Sequence, residues 1–147
     1  MSAQPQAQQR ANVVLEAAQW LGTPYHHQAK IKGAGVDCAL LLCEVYHAAG
    51  VVPPIDPRPY PQNWHLHRDS ERYLGWVDQY ATPTTLPAQP GDLMLFKFGR
   101  AYSHAGIYAG NGEVIHSLRD VGVVMSPLSQ QPLLGRESKV YTFWGEA

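Results

Sequence analysis

Cys38 follows Asp37 at the head of the run CALLLCEVYHAAG, which has helix formers, no proline and a closing Gly50. A thiol at that position meets unpaired backbone N–H groups and the positive end of the helix dipole, and both favour the thiolate. The thiolate is the nucleophilic form, so a helix start is where cysteine chemistry belongs. Cysteine is also among the residue types most often found in ordinary cores. Cys43, inside the same apolar run, fits that second role. An Asp-Cys pair alone does not separate the two readings.

A cysteine nucleophile needs a base, and the base needs an orienting partner. The chain has seven histidines, and two of them flank a turn in strand-like context. The first lies in Ser103-His104-Ala105-Gly106-Ile107-Tyr108 and the second in Glu113-Val114-Ile115-His116-Ser117, with Gly110-Asn111-Gly112 between. Asn-Gly is a strong hairpin signal. Register decides whether the histidines cooperate. A two-residue Asn111-Gly112 turn pairs Gly110 with Glu113 and puts His104 and His116 on opposite faces. A three-residue loop from Gly110 to Gly112 pairs Ala109 with Glu113 instead. Gly106 then faces His116, and His104 becomes its diagonal neighbour, roughly 7–8 Å away at the backbone. The three-residue loop, or another of the same parity, is the expectation. On spacing alone, a hairpin with two partly exposed histidines is about as good a reading.

The elements that must carry these residues follow from periodicity. Residues 10–21 suit a helix with Val13, Val14, Ala17 and Leu21 on one face and Gly22 as the stop. Thr23-Pro24-Tyr25 must be extended, because proline keeps its predecessor out of the helical region. Residues 32–35 read as a glycine-bearing loop. The helix opened by Asp37 is apolar nearly all round and predicts a central, buried element. Residues 51–61 are proline-rich and irregular, 64–80 read as one helix, and 82–91 read as a loop. After it the texture changes to short strand-like runs at 93–98, 104–109, 113–117, 122–125 and 139–143. Helices first and strands second predict an α+β fold with N-terminal helices packed on a central antiparallel sheet. With 147 residues and no repeat or linker, residues 1–147 are expected to form a single domain, residues 1–9 being a loose tail.

Composition removes several function classes. Lys plus Arg is 11 against 12 Asp plus Glu, which gives no electrostatic case for nucleic acid. Apolar runs fall far short of the roughly 20 residues of a membrane helix. Two cysteines make neither a disulfide scaffold nor a four-cysteine zinc module. His65 and His67, with His26 and His27, resemble a metal set, but no acidic or cysteine ligand is spaced to complete it. No metal or cofactor is expected. Trp20, Trp64, Trp76 and Trp144 read as core or cleft-wall residues. Tyr102 and Tyr108 suit a sheet face or the flank of a sugar or peptide. Met1 to Gln9, MSAQPQAQQ, lacks the basic start and apolar core of a signal peptide.

Taken together, these pieces resemble the NlpC-type cell-wall peptidases, a branch of the papain-like cysteine peptidases. The matching segments are Gly22-Thr23-Pro24-Tyr25, Asp37-Cys38, Pro90-Gly91-Asp92-Leu93, Ser103-His104-Ala105-Gly106-Ile107-Tyr108 and Val114-Ile115-His116-Ser117. Each is weak alone, and their order and spacing make the set specific. The resemblance implies a papain-like fold and hydrolysis of peptidoglycan stem peptides, typically between D-γ-glutamate and diaminopimelate. It implies Cys38 as nucleophile, His104 as base and His116 as orienting residue. It also implies Tyr25 in the oxyanion site and substrate cleft, and Asp37 near the bound peptide's amine, a role compatible with capping.

Where the family commonly reads Asp-Cys-Ser-Gly, Ala39 and Leu40 follow Cys38 here. Tyr60-Pro61-Gln62-Asn63-Trp64-His65-Leu66-His67 and Glu71-Arg72-Tyr73-Leu74 resemble the phage and prophage group of the family. That resemblance implies synthesis in a host cytoplasm, association with a virion tail, other tail proteins as partners and action on the cell wall, without nucleic acid or membrane. Two further readings keep the fold: a catalytically silent tail-tip assembly module, and a thiol acyltransferase.

Overall fold

The computed structural model describes residues 5–56 and 75–144. Among the described residues, three helices, α1 (Gln6–Ala18), α2 (Cys38–Ala48) and α3 (Trp76–Tyr80), accompany eight strands. β1 (Lys30–Ile31) and β2 (Gly35–Val36) form a small hairpin. The other six are β3 (Thr82–Thr84), β4 (Leu93–Phe98), β5 (Ala101–Gly110), β6 (Glu113–Leu118), β7 (Gly122–Pro127) and β8 (Ser138–Thr142). They build one antiparallel sheet in the order β3-β8-β4-β5-β6-β7. The fold class expected from the sequence is therefore the one observed.

α2 is the central element. Asp37 caps it, its Oδ1 accepting the Leu40 N–H at 2.9 Å, and Gly50 turns the chain away at φ 79°. Ala39, Leu40, Leu41, Leu42, Cys43, Val45 and Tyr46 are all fully buried. The continuous apolar run thus has partners on every side, which is why it shows no amphipathic stripe. α2 packs against α1, β5 and β6. Leu93, Leu95, Ala105, Ile107 and Ile115 supply the sheet's side of this core. A smaller cluster of Met94, Phe96, Val114 and Leu133 fills the other side.

α1 begins at Gln6, so residues 6–9 of the expected loose tail are helical; glutamine is a good helix former. The buried face is Arg10, Val13 and Ala17, continued by Trp20, whereas Leu21 is 43% exposed. Arg10 was invisible to an apolar count, because its burial depends on a distant partner. Its guanidinium bonds Asp92 Oδ1 at 2.8 Å and the Pro90 carbonyl at 3.1 Å and lies 4.3 Å from the Trp144 ring centre.

Three short strands lie in or beside segments expected to be loops. Residues 30–36 fold into the β1–β2 hairpin. Thr82-Pro83-Thr84 pairs with β8 as the sheet's edge, a position where proline costs no interior hydrogen bond. Of the expected helix over 64–80, the described part contains α3; residues 64–74 lie outside the described residues, as do His65, His67 and Trp64.

The β5–β6 hairpin resolves the register question in an unexpected way. Asn111 and Gly112 have φ 54° and 75°, the left-handed pair of a two-residue turn, and Gly110 pairs with Glu113. That turn alone would separate the histidines. A bulge at Ala109 then absorbs one residue, so Tyr108 pairs with Val114 and Ile107 with Ile115. The parity is the expected one, and Gly106 lies across from His116. A Cβ at Gly106 would fall 2.5 Å from Val114 Cγ1, 2.9 Å from His116 Cβ and 2.9 Å from the Ile115 carbonyl oxygen. Gly106→Ala is therefore expected to cost about 1–3 kcal/mol in denaturant unfolding, the usual scale of overpacking. An unchanged midpoint would mean the sheet opens freely at this point.

Candidate active site

The two histidines meet on one face of the sheet. His104 Nε2 lies 2.7 Å from His116 Nδ1, with ring centres 5.0 Å apart and edges to faces. His104 pairs across β4 with Phe96, and Phe98 packs on its ring at 4.7 Å between centres. Arg136 in turn covers Phe98, its guanidinium carbon 3.6 Å from the ring centre. His104 is 8% exposed and His116 fully buried.

The ladder between β5 and β6 ends at this level. β5 stays paired with β4 down to Ala101, and β6 stays paired with β7 as far as Leu118. The β5–β6 pairing itself goes no further than Ile107 and Ile115. The two strands part company where the histidines sit.

The cysteine segment is tied to the strand that carries His116. Ser117, next to His116, donates its hydroxyl to the Val36 carbonyl at 2.9 Å, two residues before Cys38. Tyr25 bridges Val36 in parallel, and the Val36 N–H donates to the Pro24 carbonyl at 3.0 Å. Gly22 and Thr23 are bonded to the Val123 backbone at 3.0 and 2.9 Å. The segments 22–25 and 35–38 are thereby fixed to β6 and β7. Cys38 itself is 5% exposed, at the N-terminus of α2.

Asp37 and Tyr25, also singled out in the sequence, lie on these two tied segments. Asp37 is buried, with Oδ1 on the Leu40 N–H and Oδ2 accepting the Gln28 N–H at 2.8 Å. These contacts serve the helix cap and the 26–29 loop, and they give Asp37 a positioning role. Tyr25 is half-buried. Burial first, then the charges at Cys38 and Asp37, raises its phenol far above the ordinary range. It stays protonated at neutral pH and can donate a hydrogen bond. Cys43 is pushed up to about 12, chiefly by burial, which makes it inert as a nucleophile. Tyr108 is no open platform: its hydroxyl accepts the Gly112 N–H at 2.9 Å and steadies the turn. Sequence reasoning missed Ser117 and Ser126, the latter 2.7 Å from His116 Nε2. Both are small polar residues on strands, and only the pairing shows what they face.

A family model described as the NlpC/P60 family matches residues 22–140, and the chain belongs to that family. It is 32% identical over 121 residues to the gamma-DL-glutamyl hydrolase of Bacillus subtilis (strain 168), covering 80% of this chain and 25% of that protein. It is 35% identical over 86 residues to tail tip assembly protein K of Escherichia phage lambda, covering 56% of this chain and 41% of that one. The chain thus spans less than half the length of these relatives. Among solved structures, the NlpC/p60 domain of the peptidoglycan hydrolase SagA aligns with a TM-score of 0.61 at 22% identity, over 89% of this chain and 97% of that one. RipD of Mycobacterium tuberculosis, described as a non-catalytic NlpC/p60 domain protein adapted to peptidoglycan binding, aligns with a TM-score of 0.58 at 16% identity, over 97% and 100%. The fold is the papain-like α+β fold of NlpC/P60 domains. Among the described residues no helix is long and apolar enough to cross a membrane.

Burial dominates the electrostatics of the pair. Desolvation, then the neighbouring His116 and Arg136, push His104 down to about 3, and desolvation pushes His116 down to about 4. Both rings are neutral at neutral pH. In the unfolded chain they titrate near 6.5, so between that value and the folded ones the unfolded chain binds more protons. The folded state therefore loses stability as pH falls from about 6.5 towards 4 and is unaffected by this pair above 6.5. Thermal unfolding should show a fall on the order of 5 °C from pH 7 to pH 4.5. The slope should be shallower in His116→Asn, which removes one titrating ring. Equal slopes in the two proteins would exclude the histidine pair as its source.

Proposed function

We propose that residues 1–147 form a single cysteine peptidase domain that hydrolyses peptidoglycan stem peptides at the D-γ-glutamyl–diaminopimelate bond, as part of a phage or prophage tail. The observation that carries this reading is the 2.7 Å contact between His104 and His116, on the two strands that pack against the helix starting with Cys38. Similarity to a hydrolase named for γ-glutamyl bonds supports the scissile amide. Similarity to a tail tip assembly protein supports the setting.

His104 Nε2 is committed to His116, which leaves Nδ1 to take the proton of Cys38. The S–H bond breaks, the N–H bond forms, and the thiolate attacks the amide carbonyl. An imidazolium in so buried a place is stable only beside the thiolate, so the two charges arise and vanish together. The backbone N–H of Cys38 and the protonated Tyr25 hydroxyl hold the oxyanion. His104 then gives its proton to the leaving amine, and water hydrolyses the thioester with His104 as base. His116 holds the ring of His104, the part an Asp or Asn plays in other triads. Asp37 keeps the helix start in place and lies near the incoming peptide amine.

Mass spectrometry of muropeptides after incubation with purified peptidoglycan tests the proposal. Cys38→Ala and His104→Ala should each lower product formation by roughly 10³-fold or more, with folding intact by circular dichroism. His116→Ala should lower it less, because an orienting ring matters less than a base. Full activity in Cys38→Ala would end the peptidase assignment. A wild-type protein that releases nothing from walls of several chemistries would favour the silent module. Transfer of the acyl group to an added amine in place of hydrolysis would identify an acyltransferase.

A further inference from the structure

The polar chain that runs from β5 to β6 does not stop at the second histidine. Ser126 sits on β7, diagonal to His116 across the β6–β7 pair, in which Val114 faces Ser126 and His116 faces Val124. Its Oγ lies 2.7 Å from His116 Nε2, and the residue is buried. We propose that Ser126 is a positioning residue that accepts the His116 Nε2–H and thereby fixes the direction of the hydrogen bonds along His104–His116–Ser126, so that Nδ1 of His104 carries the lone pair. The catalytic consequence rests on the peptidase reading; the hydrogen-bond direction does not.

A neutral imidazole has one N–H and one lone pair. Both rings are neutral at neutral pH, since burial opposes their charging. At 2.7 Å the ring-to-ring contact must contain one proton, which leaves two arrangements. In the first, His104 Nε2–H donates to His116 Nδ1, and His116 Nε2–H donates to Ser126 Oγ. His104 Nδ1 is then a bare acceptor, able to take a proton. In the second, the Ser126 hydroxyl donates to His116 Nε2, His116 Nδ1–H donates to His104 Nε2, and His104 Nδ1 already holds its proton. Only the first leaves His104 able to act as a base towards Cys38.

The hydroxyl can rotate to accept or to donate, and its oxygen is the acceptor without which the first arrangement is not available. Removing it leaves the first arrangement with a buried N–H that has lost its acceptor, and buried N–H groups are rarely left so. The second arrangement leaves only an unfilled lone pair, which is better tolerated. Loss of the serine oxygen should therefore reverse the chain. In the catalytic step, the Cys38 proton moves to His104 Nδ1 and no other proton moves. His104 keeps its Nε2–H on His116, and His116 keeps its Nε2–H on Ser126.

Two-bond nitrogen–proton correlation spectra of the full chain, labelled with 15N-histidine, read both tautomers at neutral pH without substrate. The wild type should show Nε2–H on His104 and His116. Ser126→Ala should move both rings largely to Nδ1–H, and Ser126→Thr should restore Nε2–H. Alkylation of Cys38 by iodoacetamide should slow about tenfold in Ser126→Ala and recover in Ser126→Thr. Nδ1–H on either ring of the wild type would overturn the proposal, and so would unchanged tautomers in Ser126→Ala. The wild-type spectrum decides alone if the alanine variant fails to fold. A wild type with the expected tautomers that hydrolyses no muropeptide would count against the peptidase reading and leave the role of Ser126 standing.

Discussion

One hydrogen bond between two imidazoles, twelve residues apart in the chain, constrains much of this molecule. Burying two rings of this kind costs free energy unless each finds a partner with good geometry. The sheet is built to supply that geometry. Side chains on a strand alternate in direction, so an error of one residue in register would send His104 and His116 to opposite faces. The Ala109 bulge corrects the parity that the Asn111-Gly112 turn would otherwise impose. Gly106 then removes the side chain that would keep the second ring away. Turn, bulge and glycine are three local features with one joint result.

The cysteine's position depends on a second set of constraints, which do not come from α2 alone. A helix packed by an apolar surface can slide or rotate somewhat, since hydrophobic contact has no direction. Hydrogen bonds do have direction. Asp37 fixes the first turn, and its second oxygen holds the Gln28 N–H. Ser117 ties Val36 to the strand of His116. Gly122 admits the Thr23 carbonyl so closely that a Cβ there would lie 2.6 Å from its oxygen. At the other end, the buried Arg10–Asp92 pair joins α1 to the loop before β4. The site is held by directional bonds at its rim and by apolar packing beneath it.

Much of this was legible in the sequence, and the failures have physical causes. α2 and its Asp37 cap were readable because capping and helix formation are local. β4 was read to the residue, since its apolar run has turn signals on both sides. The parity of the histidine hairpin was also readable, but its means was not, because a bulge leaves no local mark when the turn residues already fit a tighter turn. β3 was missed because Thr-Pro-Thr reads as a loop until an edge partner is known. Arg10 and Ser126 were missed for a common reason: each is polar, and each is buried through a partner far along the chain. Periodicity finds apolar faces; it does not find polar groups whose partners are supplied by the tertiary fold.

The same polar burial bears on whether the site turns over. The Ala39-Leu40 departure from the family pattern is the feature of the sequence that favours a module keeping the fold without chemistry. Both residues are fully buried in the core around α2, so the change affects packing beneath the cysteine and not a solvent-facing contact with substrate. The peptidase reading gives His104, His116 and Ser126 a use that the silent-module reading does not. Replacing matched polar partners by apolar groups of similar shape is close to neutral for stability, and buried rings that resist protonation weaken the protein in acid. The likeness to a non-catalytic domain shows that the fold can persist for binding. Here a hydrogen-bonded imidazole pair sits on the strands that pack against a helix starting with cysteine, and its burial costs stability only below about pH 6.5.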